Sequence, residues 1–282
     1  MVFGQKFLSF EAELSRRLKE WKESMQDITG QLSGAVGNYT VVTPEQEERT
    51  LKKLGLKVEP VSSQVIPRDR YAKIISEGAL IASFFERMAI EFRLLQHSDI
   101  DEVKEGFSKG QKGSSTMPHK KNPISSENIT GMARLLRSHI IPALEDCALW
   151  HERDISHSSV ERMMFPDHFG ILAYSARRMK NVVENLVVDR ERIESKVESN
   201  EKIYSSFVLH KLIQLNPGTK REDLYEVVQT SFFNSKSKDE LKKNLEAELT
   251  GRQMKHEASK WIDFENLRAH YKDQFRKVMN RT

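Results

Sequence analysis

Apolar residues recur every three or four positions through most of the chain, which is the spacing of amphipathic helices. Residues 6–28 carry one such stripe, made of Phe7, Phe10, Leu14, Leu18, Trp21 and Met25. Charged residues fill the remaining positions of that stretch. Strand-like alternation is nearly absent, apart from a few residues at 39–43. The pattern therefore predicts an all-α fold.

The apolar arc is wider from residue 70 to residue 97 than elsewhere. It contains Ile74, Ile75, Leu80, Ile81, Phe84, Phe85, Met88, Phe92 and Leu95. A helix with one solvent-exposed face does not need so many apolar residues. This segment is therefore predicted to be an inner helix of a long bundle or to be buried against another subunit. Further helices are predicted at 123–149 and 159–186.

The character of the chain changes at about residue 187. The later segments are shorter and more charged, with breaks at residues 216–218 and at Gly251. We therefore expect a central helical-bundle domain at residues 1–187, containing a loop at 106–123, and a smaller C-terminal helical domain at residues 188–282.

Composition excludes several classes of partner. The 45 basic and 41 acidic side chains give a formal net charge of +4, which is too balanced to indicate binding to nucleic acid or to a membrane. An anionic small molecule fits this charge equally well. The lone cysteine, Cys147, allows no internal disulfide, and no apolar run is long enough to cross a bilayer. These features, with the absence of a signal peptide, predict a cytoplasmic protein.

The segment GSSTMPHKKNP at residues 113–123 concentrates hydroxyl, cationic and amide groups between glycine and proline. A serine hydroxyl acts as a general base only when cations and backbone amides stabilise its alkoxide. Lys120 and Asn122, two residues apart, are suited to hold one carboxylate of a substrate. Composition alone equally describes a surface loop that ends in a helix capped by Asn122, with Pro123 at its first position.

A second unusual segment, LWHERDISHSSVER, spans residues 149–162. Ser158 and Glu161 have the spacing of a capping box, which predicts that a helix starts there and offers its amides to an anion. Arg153 and Arg162 flank that start and are suited to grip a phosphate. The alternative is that these arginines only solvate the entry to the helix. His151 and His157 do not have the spacing of a helical zinc site, so no metal or other cofactor is expected.

The 113–123 segment resembles the Gly-Ser-Ser-x-Met-Pro-x-Lys-x-Asn-Pro loop of the fumarase, aspartase and argininosuccinate lyase superfamily. The resemblance implies that Ser114 is the catalytic base and that Lys120 and Asn122 bind the succinyl carboxylates. It also implies that a catalytic histidine pairs with the glutamate of the next helix. The other positions carried over are Ser115 and Met117 as substrate-binding residues and Glu127 as that glutamate.

Within the superfamily, residues 2–186 are most similar to the adenylosuccinate lyase family. The similarity includes SGAVGNY at residues 33–39 and SSENITGMARLLRS at residues 125–138. It implies that Arg153, Ser158 and Arg162 hold the phosphate of AMP and that Gln64 binds substrate. The implied reaction releases fumarate from adenylosuccinate and from the succinylated aminoimidazole carboxamide ribotide of purine biosynthesis. The implied assembly is a homotetramer whose active sites collect segments from three subunits.

The family motif Thr-His-Gly-x-x-Ala-Glu-Pro, which carries the general-acid histidine, does not occur in this sequence. We therefore expect a chain that lacks the N-terminal domain and needs that segment from another polypeptide. His119, His151 and His157 are conceivable stand-ins for the acid. A catalytically silent helical scaffold and an enzyme similar to argininosuccinate lyase remain as alternatives.

Overall fold

The computed structural model describes residues 2–107, 116–117, 119–151 and 153–280, and most of them are helical. The helices are α1 (Phe3–Gln26), α2 (Pro44–Lys53), α3 (Asp69–Leu95), α4 (Ile124–Ser138), α5 (Ile140–Glu145), α6 (Ser156–Glu184), α7 (Arg190–Glu198), α8 (Ser205–Leu215), α9 (Arg221–Phe233), α10 (Lys238–Gly251), α11 (Ala258–Trp261) and α12 (Phe264–Met279). A 3₁₀ turn occupies Glu201–Tyr204. The all-α fold is confirmed.

The chain divides into two compact units, one formed by residues 9–188 and the other by residues 1–8 together with residues 189–282. The first unit is built around α3. Thirteen residues of α3 are buried, including Ile75, Phe84 and Phe92, because helices α4, α5 and α6 all pack against it. The inner helix predicted at residues 70–97 is confirmed, since several neighbours cover its apolar arc apart from Leu80, which is 45% exposed.

Side-chain pairs show the direction of each neighbour. Arg93, near the end of α3, donates to Thr130 in the first half of α4. Glu86 pairs with Arg137 at the end of α4, so α4 runs antiparallel to α3. Helix α6 runs parallel to α3, because Glu161 in its first turns meets Arg68 at the start of α3.

The single helix predicted at residues 123–149 is wrong. Helix α4 ends at Ser138, α5 begins at Ile140, and His139 separates them. Pro142 explains the break, because its ring lacks an amide hydrogen and clashes with the carbonyl of the residue four positions earlier.

Two pairs of two-residue strands tie the connections of this unit together. β1 (Thr29–Gly30) pairs in parallel with β2 (Lys57–Val58). β3 (Val103–Lys104) pairs antiparallel with β4 (Val187–Val188). The strand-like residues 39–43 form no strand, and Tyr39 has a positive φ of 54°.

The second unit has its own core, in which Tyr204, Leu212, Leu224, Leu245 and Ile262 are fully buried. The predicted breaks are present, since α8 ends at Leu215 and α10 ends at Gly251. Short polar side chains cap its helices. Asp189, Ser237 and Asp263 each accept a hydrogen bond from a backbone amide of the first turn. Among the described residues, no helix is long and apolar enough to span a membrane.

Candidate active site

The end of α3 and the start of α4 enclose an open cleft of about 1050 Å³. Four of the predicted site residues line it, namely Met117, Lys120, Asn122 and Glu127. His119 lines it as well. Ser114 and Ser115 lie outside the described residues. The structure therefore brings together the part of the predicted carboxylate site that it describes.

The cleft is richer in cations than in anions. Arg93, Lys104, Lys120 and Lys121 line it together with Asp101 and Glu127. Lys104 is partly neutralised by Asp101, whose Oδ1 lies 3.2 Å from its Nζ. A surplus of exposed positive charge in a concave surface attracts an anionic ligand such as a dicarboxylate.

Sequence reasoning missed Arg93 and Lys104 as cleft residues. Arg93 follows Ile90 by three positions and Leu94 follows Ile90 by four, so these three cleft residues share one face of α3. That face was readable from the sequence. Its position opposite Lys120 was not, because it depends on how the chain returns after residue 104.

The predicted start of α4 is wrong in detail. Pro123 is the N-cap residue and α4 begins at Ile124, so Asn122 does not cap the helix. The carboxylate of Glu105 does so instead, accepting hydrogen bonds from the Ser125 amide at 3.1 Å and the Ser126 amide at 2.8 Å. Asn122 is thereby left to face the cleft.

A second group of predicted residues lies near the start of α6. Arg153 Nη1 donates to Gln64 Oε1 at 3.0 Å, so these two residues are brought together. Gln64 is held in turn by Gln31, whose Nε2 donates to the Gln64 carbonyl at 2.9 Å. Gly37 packs directly against this segment. A Cβ at Gly37 would lie 1.9 Å from the Ser62 carbonyl oxygen, so only glycine fits there.

The predicted capping box at Ser158 and Glu161 is wrong. Helix α6 begins at Ser156, which places Ser158 inside the first turn. Asp154 accepts hydrogen bonds from the Ser156 hydroxyl and from the amides of Trp150 and Ser156. These bonds, that of the Ser156 hydroxyl first, hold the pKa of Asp154 at about 2. Asp154, and not Ser158, therefore accepts the first amide of this helix, that of Ser156.

Glu161 has a different partner, because its Oε1 lies 2.9 Å from Nε of Arg68. Burial raises the pKa of Glu161, and the Arg68 charge opposes that rise. Burial also raises the pKa of Asp146 nearby, which the charges of His157 and Arg68 oppose. These buried charges anchor the first turns of α6, the helix that also carries Ser158. Arg162 is exposed on the same helix.

The two groups lie at opposite ends of α3. Gln64 and Arg68 adjoin its first residue, whereas the Lys120 cleft adjoins its last turns. A helix of 27 residues is about 40 Å long at 1.5 Å per residue. One chain therefore does not bring Lys120 and Arg153 to a common substrate. Among the described residues, no group of His, Cys, Asp and Glu is placed to hold a metal ion.

Comparison with known proteins agrees with the sequence motifs. A family model described as Lyase matches residues 1–136. The adenylosuccinate lyase of Thermotoga maritima is 48% identical over 229 residues, which is 80% of this chain and 53% of that protein. The adenylosuccinate lyase of Bacillus subtilis is 46% identical over 230 residues, which is 81% of this chain and 53% of that protein. The chain thus spans about half the length of the curated relatives that it matches.

Solved structures share the fold at lower identity. A fumarate lyase from Mesorhizobium sp. BNC1 has a TM-score of 0.77 at 19% identity, covering 94% of this chain and 60% of that one. A 3-carboxy-cis,cis-muconate lactonizing enzyme from Pseudomonas putida has a TM-score of 0.74 at 21% identity, covering 92% and 59%. These two structures support the architecture alone.

Proposed function

Because this chain belongs to the lyase family of the fumarase/aspartase superfamily, as a homologue of adenylosuccinate lyases, we propose that it contributes to a C–N lyase. The reaction releases fumarate from adenylosuccinate to give AMP. The same chemistry acts on the succinylated aminoimidazole carboxamide ribotide of purine biosynthesis. The observation that carries the proposal is the cationic cleft in which Lys120, Asn122 and Met117 converge.

The cleft suits the first half of an elimination. Removing a proton from the carbon next to a carboxylate leaves extra negative charge on that carboxylate, and Lys120 and Asn122 offset this charge. Ser114 takes the proton as base, and Ser115 and Met117 help to bind the succinyl group. These three roles come from the resemblance to the superfamily. The electron pair left on carbon then expels the nitrogen, which needs a general acid. Glu127, at the cleft wall, orients the histidine that serves this step.

The second group of predicted residues, near the start of α6, suits the nucleotide half of the substrate. Arg153, Ser158 and Arg162 hold the phosphate, and Gln64 contacts the remainder. Two arginines around the first turn of a helix combine charge-assisted hydrogen bonds with the positive end of the helix dipole. Arg153 already makes one such directional contact, its 3.0 Å hydrogen bond to Gln64.

The separation of the two groups implies that different copies of the chain supply them to one site. We propose a homotetramer in the cytoplasm, working without a cofactor. Large apolar side chains remain exposed on the bundle, including Leu80, Ile90, Leu94, Leu135, Ile141 and Leu144. Burying such residues between copies would stabilise an assembly of this kind.

The test is fumarate release from adenylosuccinate, measured for the chain alone and for the chain mixed with the remaining N-terminal half of a curated relative. We expect release in the mixture and none from the same mixture made with Ser114→Ala. An assembled mixture without release would overturn the lyase proposal and favour a silent helical scaffold.

A second readout separates this reaction from that of argininosuccinate lyase, whose substrate has no phosphate to hold. We expect AMP to compete with adenylosuccinate for the wild-type site. Release of fumarate from argininosuccinate, unaffected by AMP, would identify the other enzyme.

A further inference from the structure

Glu105 joins the two chain segments that frame the Lys120 cleft. It lies one residue after β3, and only 5% of its surface is exposed. Besides the two amide hydrogen bonds, its Oε1 accepts the Ser126 hydroxyl at 2.5 Å. One buried carboxylate on the incoming segment therefore receives three hydrogen bonds from the first turn of α4.

Gln96 braces the same junction from the end of α3. Its Oε1 accepts the Glu105 amide at 3.0 Å, and its Nε2 donates to the Lys121 carbonyl at 2.7 Å. Its side chain thus links the segment before the loop to the segment after it. Lys121 also places its Nζ 5.7 Å from the centre of the Phe107 ring, which adds a cation–π contact.

The segment that carries Glu105 is itself held by contacts with the end of the first unit. Strand β3 pairs with β4, and Gly106 lies so close to Asn185 that a Cβ at Gly106 would come within 2.6 Å of it. Glu105 is therefore mounted on a rigid support. A cap from Asn122 would fix only the start of α4. A cap from Glu105, which lies before the loop, also fixes the distance between the Glu105 segment and the start of α4.

We propose that Glu105, braced by Gln96, is a positioning residue that sets the placement of Lys120, Asn122 and Glu127 in the cleft. This inference rests on the proposed lyase function. Lys120 and Asn122 precede the capped turn by a few residues, and Glu127 lies within it. A loosened cap lets all three shift together, and a shift of about 1 Å at a catalytic site costs up to about a hundredfold in rate.

Hydrogen exchange tests the hydrogen bonds between Glu105 and the start of α4 without relying on activity. In Glu105→Ala we expect the Ser125 and Ser126 amides to exchange about tenfold faster or more, because they lose their acceptor. Glu105→Gln keeps one acceptor oxygen and should show a smaller increase. Ser126→Ala removes only the hydroxyl bond and should show the least. Unchanged exchange in Glu105→Ala would overturn the proposal, whatever the activity.

Glu47→Gln is the matched control for a loss of stability. Glu47 is also fully buried, and its carboxylate likewise accepts a backbone amide, that of Leu32, and a hydroxyl, that of Tyr39. Glu47 lies in α2 and does not line the Lys120 cleft. We expect both variants to lower the thermal midpoint and only the Glu105 variants to accelerate exchange at residues 125 and 126.

Kinetics in the mixed assay provide the second readout. Glu105→Gln should lower kcat about tenfold or more while Glu47→Gln leaves it near the wild-type value. An equal fall in both variants would reduce Glu105 to a structural residue. If the wild-type chain releases no fumarate in the mixed assay, only the lyase function is refuted. The exchange experiment still decides whether Glu105 holds the start of α4. If Glu105→Ala fails to fold, Glu105→Gln and Ser126→Ala carry the same comparison.

Discussion

At the scale of single residues, the candidate site combines exposed cations with partners that orient them. Arg153 is exposed, yet its guanidinium is directed by Gln64, which Gln31 holds in place. Arg162 is exposed on the α6 surface, and among the described residues no hydrogen bond or ion pair directs its guanidinium. A phosphate bound here would therefore be held by one preorganised arginine and one that pays for its ordering on binding.

Removing the Arg153 guanidinium should weaken AMP binding. A charge-assisted hydrogen bond to a phosphate contributes about 1.5–3 kcal/mol, so Arg153→Ala should raise the Kd about 10- to 150-fold. Calorimetric titration with AMP measures the change. Arg177→Ala removes an exposed arginine from the same helix, about five turns from Ser158, and should leave the Kd unchanged. Equal affinity of Arg153→Ala and wild type would refute the phosphate assignment.

His168 should make the first unit sensitive to acid. Its ring is fully buried, and Nδ1 lies 3.2 Å from Nδ1 of His139. Burial, with a smaller effect of the His139 charge, lowers the pKa of His168 to about 4. The unfolded chain, with a pKa of about 6.5, binds more protons between these values. The free energy of unfolding should therefore fall as the pH drops from 6.5 to 4, by at most roughly 3 kcal/mol.

Urea unfolding at several pH values between 4 and 7 measures this slope. Burial lowers the pKa of His139 too, while Asp167 opposes that shift, so His139 contributes in the same direction. His168→Leu removes one titrating group, and its unfolding free energy should vary less with pH than that of the wild type. Identical slopes for the two proteins would exclude His168 as the source.

At the scale of elements, the register of each helix face decides which residues matter for stability. Leu136 in α4 is fully buried, whereas its neighbour Leu135 is 47% exposed. Leu136→Ala should lower the free energy of unfolding by about 2–5 kcal/mol, because it leaves a cavity in a packed interior. Leu135→Ala should change it by less than about 1 kcal/mol. Thermal and urea unfolding of the two variants check the difference, and similar losses would contradict the packing of α4.

Helical periodicity was enough to predict α1, α3 and α6, since long apolar arcs leave little choice of structure or face. Periodicity failed where a single nearby residue changed where a helix begins or ends. Pro142 ends the regular run after α4, and Asp154 in place of Ser158 accepts the first amide of α6. Glu105 was missed for another reason. Its partners lie about twenty residues further along the chain, and no spacing rule connects a strand end with a later helix start.

At the scale of the whole molecule, sequence motifs predicted the residues of a site but not where those residues lie in the fold. Lys120 and Arg153 are 33 positions apart, yet the parallel course of α3 and α6 sends them to opposite ends of one unit. Their separation follows from helix direction, which a list of residues does not contain. If Lys120 and Arg153 serve one substrate, as proposed, a complete site requires at least two copies of the chain.

Mixing two impaired variants tests this consequence directly. A Lys120→Ala chain retains the Arg153 group, and an Arg153→Ala chain retains the Lys120 group. If each site draws these groups from different chains, an equal mixture refolded together with the N-terminal half of a curated relative should restore about a quarter of the wild-type fumarate release, because random pairing leaves that share of sites intact. Lys120→Ala mixed with Asn122→Ala is the control. It should restore nothing, since both groups come from one cleft of one chain. A mixture of Lys120→Ala and Arg153→Ala that forms oligomers of wild-type mass without regaining activity would show that the two groups do not serve a shared site.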